Sequence, residues 1–126
     1  MFELTVELEF AAAHRLPEYP GPCARLHGHN YRAVIAVRGE ELSGHGMLVD
    51  FGELKKMCRE VVAPLDHGYL NEQPAFAAIP PTAEAIARHI YQGVSGALSR
   101  GGHSAVAVAH VSVYESGSSC ATYRES

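Results

Sequence analysis

Two histidines in the segment "CARLHGHNY" are separated by a single glycine. Side chains two positions apart in a β-strand point to the same face at a spacing of about 7 Å, so His27 and His29 can converge on one metal ion. His14 ends the preceding apolar segment and is the natural third ligand. Three histidines with an open fourth position are typical of catalytic zinc sites. The alternative is a group of cleft histidines that make ordinary hydrogen bonds and bind no metal.

Cys23 lies four residues before His27, in a loop rich in proline and glycine. Three roles are open to it: a fourth zinc ligand, a catalytic thiolate or an inert side chain. A nearby divalent cation would lower the pKa of the thiol and populate the thiolate, which is the form that acts as a base or nucleophile. We therefore favour a functional role for Cys23, as a ligand or as a thiolate. Cys58 and Cys120 fall within a predicted helix and a short predicted strand, and we interpret both as structural.

Asp66 and His67 are adjacent in "LDHGYLN", within a long loop at residues 65–81. The carboxylate of such a pair can fix the imidazole tautomer and support the charged ring of a general acid or base. The alternative for the pair is an Asx-type turn. Glu115 ends a long strand in "VYES", where a carboxylate can also simply face solvent. The remaining histidines have no partner at ligand spacing and are predicted to be structural or surface residues: His45, His89, His103 and His110.

The elements that must position these side chains can be predicted from hydrophobic periodicity. Apolar and polar residues alternate from Phe2 to Phe10, which predicts a half-buried strand. If the register continues without a bulge, His14 lies on the apolar face as well. A second strand is predicted over residues 27–38. "MLVD", at residues 47–50, is predicted to be a short third strand.

Two helices are predicted between the strands. Asp50 and Glu53 suggest a capping box at the start of the first helix, and Pro64 ends it. The second helix begins near Thr82, a good N-cap, and ends in the "RGG" at residues 100–102. Strands follow over residues 104–115 and 120–124. The predicted fold class is α+β, with an antiparallel four-stranded sheet and two helices inserted between strand pairs.

Composition and charge exclude several classes of protein. The 126 residues, 47% of them hydrophobic, suit one domain spanning residues 1–126. A net charge of -4 without a Lys/Arg cluster argues against nucleic-acid binding. No apolar run approaches the roughly 18 residues of a membrane span, and the N-terminus lacks a signal-peptide core. Three cysteines at irregular spacing favour a reducing compartment, so we predict a cytoplasmic protein.

Six segments resemble, in order and spacing, the 6-pyruvoyltetrahydropterin synthase family across residues 2–116. They are "FAAAHRL", "CARLHGHNY", "VDF", "LDHGYLN", "PTAE" and "VYES". The three residues between Cys23 and "HGH" are typical of the family's queuosine-pathway branch, which forms 6-carboxytetrahydropterin. One difference is Ala85, where relatives often have asparagine after "TAE".

The resemblance implies roles for the candidate residues. They are zinc ligands (His14, His27 and His29), a catalytic cysteine (Cys23), a second proton-transfer pair (Asp66 and His67), a carboxylate that anchors the pterin (Glu115) and two positions near the pocket (Thr82 and Glu84). The implied cofactor is Zn²⁺. The resemblance does not indicate which basic residues bind the triphosphate. The candidates are Arg15, Arg25, Arg32, Lys55 and Lys56.

The resemblance also implies an assembly and a reaction. Subunits of the tunnelling fold join their sheets edge to edge into a barrel, here as a homohexamer of two trimers with active sites at subunit boundaries. The implied substrate is 7,8-dihydroneopterin triphosphate, and the products are 6-carboxytetrahydropterin, acetaldehyde and triphosphate. Two alternatives stay open: a lyase that forms the pyruvoyl product, and a non-catalytic zinc module in which Cys23 completes a closed site.

Overall fold

The computed structural model describes residues 1–125, which form one five-stranded sheet and two helices. The elements are β1 (Phe2–His14), β2 (His27–Gly39), α1 (Phe51–Val62), β3 (Gly68–Tyr69), α2 (Ala83–Arg100), β4 (Ala107–Ser116) and β5 (Ser119–Tyr123). The strand order in the sheet is β3-β1-β2-β4-β5. The predicted α+β class, with both helices between the strand pairs, is confirmed. Within residues 1–125, neither helix is long and apolar enough to cross a membrane.

The predicted sheet is wrong in two details, since it has five strands rather than four and is not wholly antiparallel. The additional strand, β3, runs parallel to β1 and pairs with Ala12 and Ala13. Two residues are too few to produce a hydrophobic alternation, so no sequence signal marks them. The strand is held by the backbone N–H of His67, which donates to the Ala11 carbonyl at 2.6 Å. In return the Ala11 N–H donates to the Asp66 carboxylate at 2.9 Å.

The strand predicted for "MLVD" is also wrong, because this segment is irregular, with a bend at Leu48 and Val49 that leads into α1. Val49 is buried in the core, and Asp50 caps the helix as predicted. The Asp50 carboxylate accepts a hydrogen bond from the Glu53 N–H at 2.9 Å. The Glu53 carboxylate lies 2.9 Å from His103 Nε2, so it joins the start of α1 to the segment after α2.

The long hairpin of β1 and β2 carries the site residues to one end of the sheet. Its antiparallel register runs without a break from Phe2 opposite Gly39 to His14 opposite His27. Because side chains alternate between the faces of a strand, the buried positions Val6, Phe10 and His14 all lie on one face. The prediction that the apolar register continues through His14 is confirmed.

Both helices cover this same face of the sheet, and the core lies between them and the strands. α1 packs on β1 and on α2, while α2 packs on β4 and β5. The Thr82 hydroxyl caps α2 by accepting the Ala85 N–H at 3.1 Å, as predicted. The opposite face of the sheet is polar: Arg32 stacks on the Tyr114 ring at 3.9 Å and contacts Glu7 at 3.2 Å.

Candidate metal centre

Each of three neighbouring strands has a row of side chains that face the core. At one end of the sheet, all three rows finish in polar residues. The row of β1 ends in His14, the row of β2 in His29 and His27, and the row of β4 in Glu115. His14 pairs directly with His27, and Ala12 pairs with His29. The alternation that builds the core therefore also brings three imidazoles and one carboxylate together.

The four side chains form a compact ligand group. The ring centroids of the histidines are 4.5 Å apart for His14 and His27, 5.1 Å for His14 and His29, and 4.9 Å for His27 and His29. One potential ligand atom from each histidine and from Glu115 lies within 4.8 Å of all the others. Imidazole nitrogens and carboxylate oxygens are ligands that zinc accepts in a tetrahedral site. The predicted grouping of the three histidines is confirmed, and Glu115 joins them.

Backbone carbonyls orient two of the imidazoles. His14 Nδ1 lies 2.8 Å from the Pro81 carbonyl oxygen, and His27 Nδ1 lies 2.7 Å from that of Arg25. A carbonyl can only accept, so each Nδ1 carries the hydrogen and donates it. In the neutral ring this leaves Nε2 with a free lone pair, which is the form that binds a metal. Both rings therefore leave Nε2 available as a potential ligand atom.

The buried nitrogens of the group fit a cation. His14 Nε2 and His29 Nε2 are buried and make no hydrogen bond within residues 1–125. Glu115 Oε1 lies 3.2 Å and 2.9 Å from these two nitrogens, but not in a direction that a hydrogen bond requires. Buried polar atoms without partners are costly and usually indicate a bound ion or water. The residues present thus fit a divalent metal.

The surroundings favour a neutral imidazole at His29, as metal binding requires. Burial lowers the pKa of His29, with Glu115 opposing and the other two histidines adding to the effect. Tyr31 lies beneath the group, fully buried, with its hydroxyl 3.3 Å from His14 Nδ1. Burial is also the main cause that raises the pKa of Tyr31, with Glu115 adding to it, so the phenol stays neutral. Tyr31 was not among the predicted site residues, although it continues the core-facing row of β2.

A sequence profile described as 6-pyruvoyl tetrahydropterin synthase matches residues 3–126, almost the whole chain. The chain belongs to the 6-pyruvoyl tetrahydropterin synthase family. Two bacterial relatives bear the name 6-carboxy-5,6,7,8-tetrahydropterin synthase. The Bacillus subtilis protein is 40% identical over 102 residues, covering 77% of this chain and 68% of the relative. The Synechocystis protein is 38% identical over 128 residues, covering 98% of this chain and 93% of the relative.

A solved structure of the 6-pyruvoyl tetrahydropterin synthase from Caenorhabditis elegans resembles this family member over its full length. The TM-score is 0.84 at 29% identity, and the superposition covers 100% of this chain and 98% of that one. Since the likeness extends over all strands and both helices, the subunit fold is that of the pterin synthase family.

The predicted catalytic cysteine of this family member lies outside the ligand group. Within residues 1–125, the group of converging ligand atoms comprises the three histidines and Glu115, without Cys23. Cys23 is half-buried in a short 3₁₀ turn (Pro22–Ala24), where its carbonyl accepts the Leu16 N–H at 2.7 Å. Cys58 is fully buried, and burial raises the pKa of its thiol to about 12, so it packs as a core residue, as predicted. Cys120 is exposed on β5.

The predicted pair Asp66 and His67 is formed beside β1, and His67 lines the same surface pocket as His29. Asp66 Oδ1 lies 3.0 Å from His67 Nδ1, and the His67 ring is 82% exposed. His67 has a φ of 58°, a left-handed conformation that a residue other than glycine adopts at some cost. The hydrogen bond from the Ala11 N–H is the main cause that lowers the pKa of Asp66, so the carboxylate is charged at neutral pH.

The two remaining predicted residues also lie outside the group. The Thr82 hydroxyl is occupied in capping α2, and Glu84 is exposed in the first turn of that helix. Sequence reasoning missed Asn71, whose side chain forms two hydrogen bonds with the backbone of Arg15. Its Oδ1 accepts the Arg15 N–H at 3.0 Å and its Nδ2 donates to the Arg15 carbonyl at 2.9 Å. This amide ties the long loop to the residue that follows His14.

Proposed function

We propose that this family member is a zinc-dependent lyase of queuosine biosynthesis. It converts 7,8-dihydroneopterin triphosphate and one water molecule to 6-carboxy-5,6,7,8-tetrahydropterin, acetaldehyde and triphosphate. The observation that carries the proposal is the convergence of three imidazoles, two of which have Nδ1 bound to a backbone carbonyl. The names of the two bacterial relatives and the three-residue spacing between Cys23 and "HGH" support the carboxy-forming branch.

In this proposal His14, His27 and His29 hold one Zn²⁺ ion. When bound, zinc stabilises negative charge on the side-chain oxygens of the substrate. The buried Nε2 atoms and the short contacts among the rings support this assignment.

The chain's own acid–base groups move the protons. Cys23 is the thiolate on one face of the substrate side chain, and His67 acts on another. Asp66 holds Nδ1 of His67, which leaves Nε2 free to take or give a proton. Two proton transfers rearrange the side chain, after which loss of triphosphate and carbon–carbon cleavage with uptake of one water molecule give the products. Glu115 binds the guanidine-like edge of the pterin with both oxygens, and Thr82 and Glu84 lie near the same pocket.

The proposed assembly is a homohexamer of two trimers with active sites at subunit boundaries. Within the described chain, β5 pairs only with β4, and β1 has neighbours on its outer side only at Ala12 and Ala13. Open edges of this kind are places where strands of other subunits add. The exposed His67 and the separation of Cys23 from the ligand group fit a site completed by a neighbouring subunit.

Sedimentation tests the assembly. We expect the purified protein to sediment near six times its 13.6 kDa subunit mass, because edge-to-edge pairing would close the sheets into a barrel. A stable monomer with full activity would contradict it.

The second candidate is the lyase that forms the pyruvoyl product without carbon–carbon cleavage. The full-length likeness to the Caenorhabditis elegans structure favours it. The two reactions can be distinguished by their products. Zinc-loaded protein is incubated with 7,8-dihydroneopterin triphosphate, and both acetaldehyde and the pterin product are measured. We expect one acetaldehyde per 6-carboxytetrahydropterin. A pterin that keeps its three-carbon side chain would support the second candidate, and no conversion with zinc bound would contradict both.

A further inference from the structure

We propose that Glu115 is the fourth protein ligand of the metal when no substrate is bound, and that it leaves the metal to bind the pterin. The inference deepens the proposed function and rests on the three-histidine zinc site. The Glu115 carboxylate would bind the metal first and the pterin second. Arrival of the substrate would thus free one coordination position for the substrate's oxygens.

The distances place one carboxylate oxygen at the fourth corner of the site. Ligand atoms around a tetrahedral zinc with bonds of about 2.0–2.1 Å lie about 3.3 Å from one another. Glu115 Oε1 is 3.2 Å from His14 Nε2 and 2.9 Å from His29 Nε2. All four ligand atoms of the group are within 4.8 Å of each other. This oxygen is therefore spaced from His14 Nε2 and His29 Nε2 as a common ligand would be.

The hydrogen-bonding pattern excludes a simple histidine–carboxylate pair. His14 donates through Nδ1 to the Pro81 carbonyl, so the neutral ring has a bare Nε2. Glu115 Oε1 lies 3.2 Å from this nitrogen, and two acceptors so close repel each other unless a cation binds to both. A doubly protonated ring would instead direct an N–H at the oxygen, but neither His14 Nε2 nor His29 Nε2 has a hydrogen-bond partner.

The backbone of β4 positions Glu115 beside the histidines. It follows Val111 and Val113 on the core-facing row of β4, both of which are completely buried. A register shift lies at this point: Tyr114 pairs with Cys120, but Ser116 pairs with Ser119. Bulges of this type redirect a side chain and are common beside active sites. The Glu115 side chain is 35% exposed, so it has room to rotate away from the histidines.

The metal and the pterin require the same oxygens of the Glu115 carboxylate. A bidentate contact with the pterin edge uses the two carboxylate oxygens together, whereas the resting position holds Oε1 among the histidines. Departure from the metal is therefore coupled to pterin binding. Without substrate, the protein supplies all four ligands and the ion is shielded from other small ligands.

The test compares metal binding by the wild type, Glu115→Gln and a matched control, Glu53→Gln. The control breaks a glutamate–histidine contact of 2.9 Å, between Glu53 and His103, outside the ligand group. Zn²⁺ affinity is measured by competition with a chromophoric chelator, and the visible absorption of Co²⁺-loaded protein reports the ligand set. We expect Glu115→Gln to weaken zinc binding by at least about tenfold, since even outer-shell changes cost 10–100-fold, and to alter the Co²⁺ spectrum. Glu53→Gln should change neither.

A measurement on the wild type avoids any effect of the substitution on folding. Azide added to the Co²⁺-loaded wild type should leave its spectrum unchanged, while it shifts that of Glu115→Gln, in which the fourth position is open. Azide binding to the wild type, or equal affinity and an equal spectrum in Glu115→Gln, would overturn the inference and leave the three-histidine site intact. Failure of the wild type itself to bind zinc would overturn the proposed function as well, and the two failures are thus distinguishable.

Discussion

Cys23→Ala is expected to retain its zinc while turnover falls by about 10²–10⁴-fold, the usual contribution of a positioned acid–base group. Cys23 lies outside the converging ligand group, so the histidines and Glu115 hold the ion without it. The measurement is kcat and zinc content on the same preparation. Cys120→Ala is the matched control, because this thiol is exposed on β5, and both its zinc content and its activity should equal those of the wild type.

The ratio of activity to bound zinc distinguishes the two roles proposed for this thiol. A parallel loss of zinc and turnover would make Cys23 a ligand first, and the proton-transfer role would be wrong. Full turnover in Cys23→Ala would also reject the thiol as an acid–base group.

His27→Ala is expected to lose most of its zinc and, with it, the lyase activity. Two imidazoles and one carboxylate then remain. Substituting a residue that only contacts a ligand lowers metal affinity by about 10–100-fold, and loss of a direct ligand should cost more. His27 suits the test because it is only partly buried. His14 is 1% exposed and bound to the Pro81 carbonyl, so its removal would also weaken the fold.

His103→Ala is the control for the metal measurement. His103 pairs with Glu53 at 2.9 Å and lies outside the ligand group, so its replacement should leave the zinc content at one ion per chain. Full zinc occupancy in His27→Ala would contradict the assignment of the ligands.

Local periodicity was sufficient to predict where the histidines meet. The alternation in β1 carries His14 onto the core face, and "HGH" opens the partner strand, so a hairpin brings the three rings together. The same rule extended along β4 from Val111 and Val113 would have placed Glu115 on the core face too. From the sequence alone, solvent stays an alternative for the Glu115 side chain, because a carboxylate at a strand end has no marked preference for either face.

The contacts that orient the ligands could not be predicted from sequence. The Pro81 carbonyl reaches His14 across 67 residues, and any residue type has a carbonyl. The Asn71 amide and the two-residue β3 likewise act through backbone pairing, which leaves no periodic signal. In the proposed assembly, the relation of Cys23 and His67 to the site depends on subunit packing, which local spacing does not encode.

Metal reconstitution tests the central claim most directly. Protein stripped with a chelator is titrated with Zn²⁺, and acetaldehyde release from 7,8-dihydroneopterin triphosphate is followed together with bound metal. The account predicts no release from the stripped protein and a rise in proportion to bound zinc, with a plateau at one ion per chain. Undiminished acetaldehyde release from the metal-free protein would contradict it.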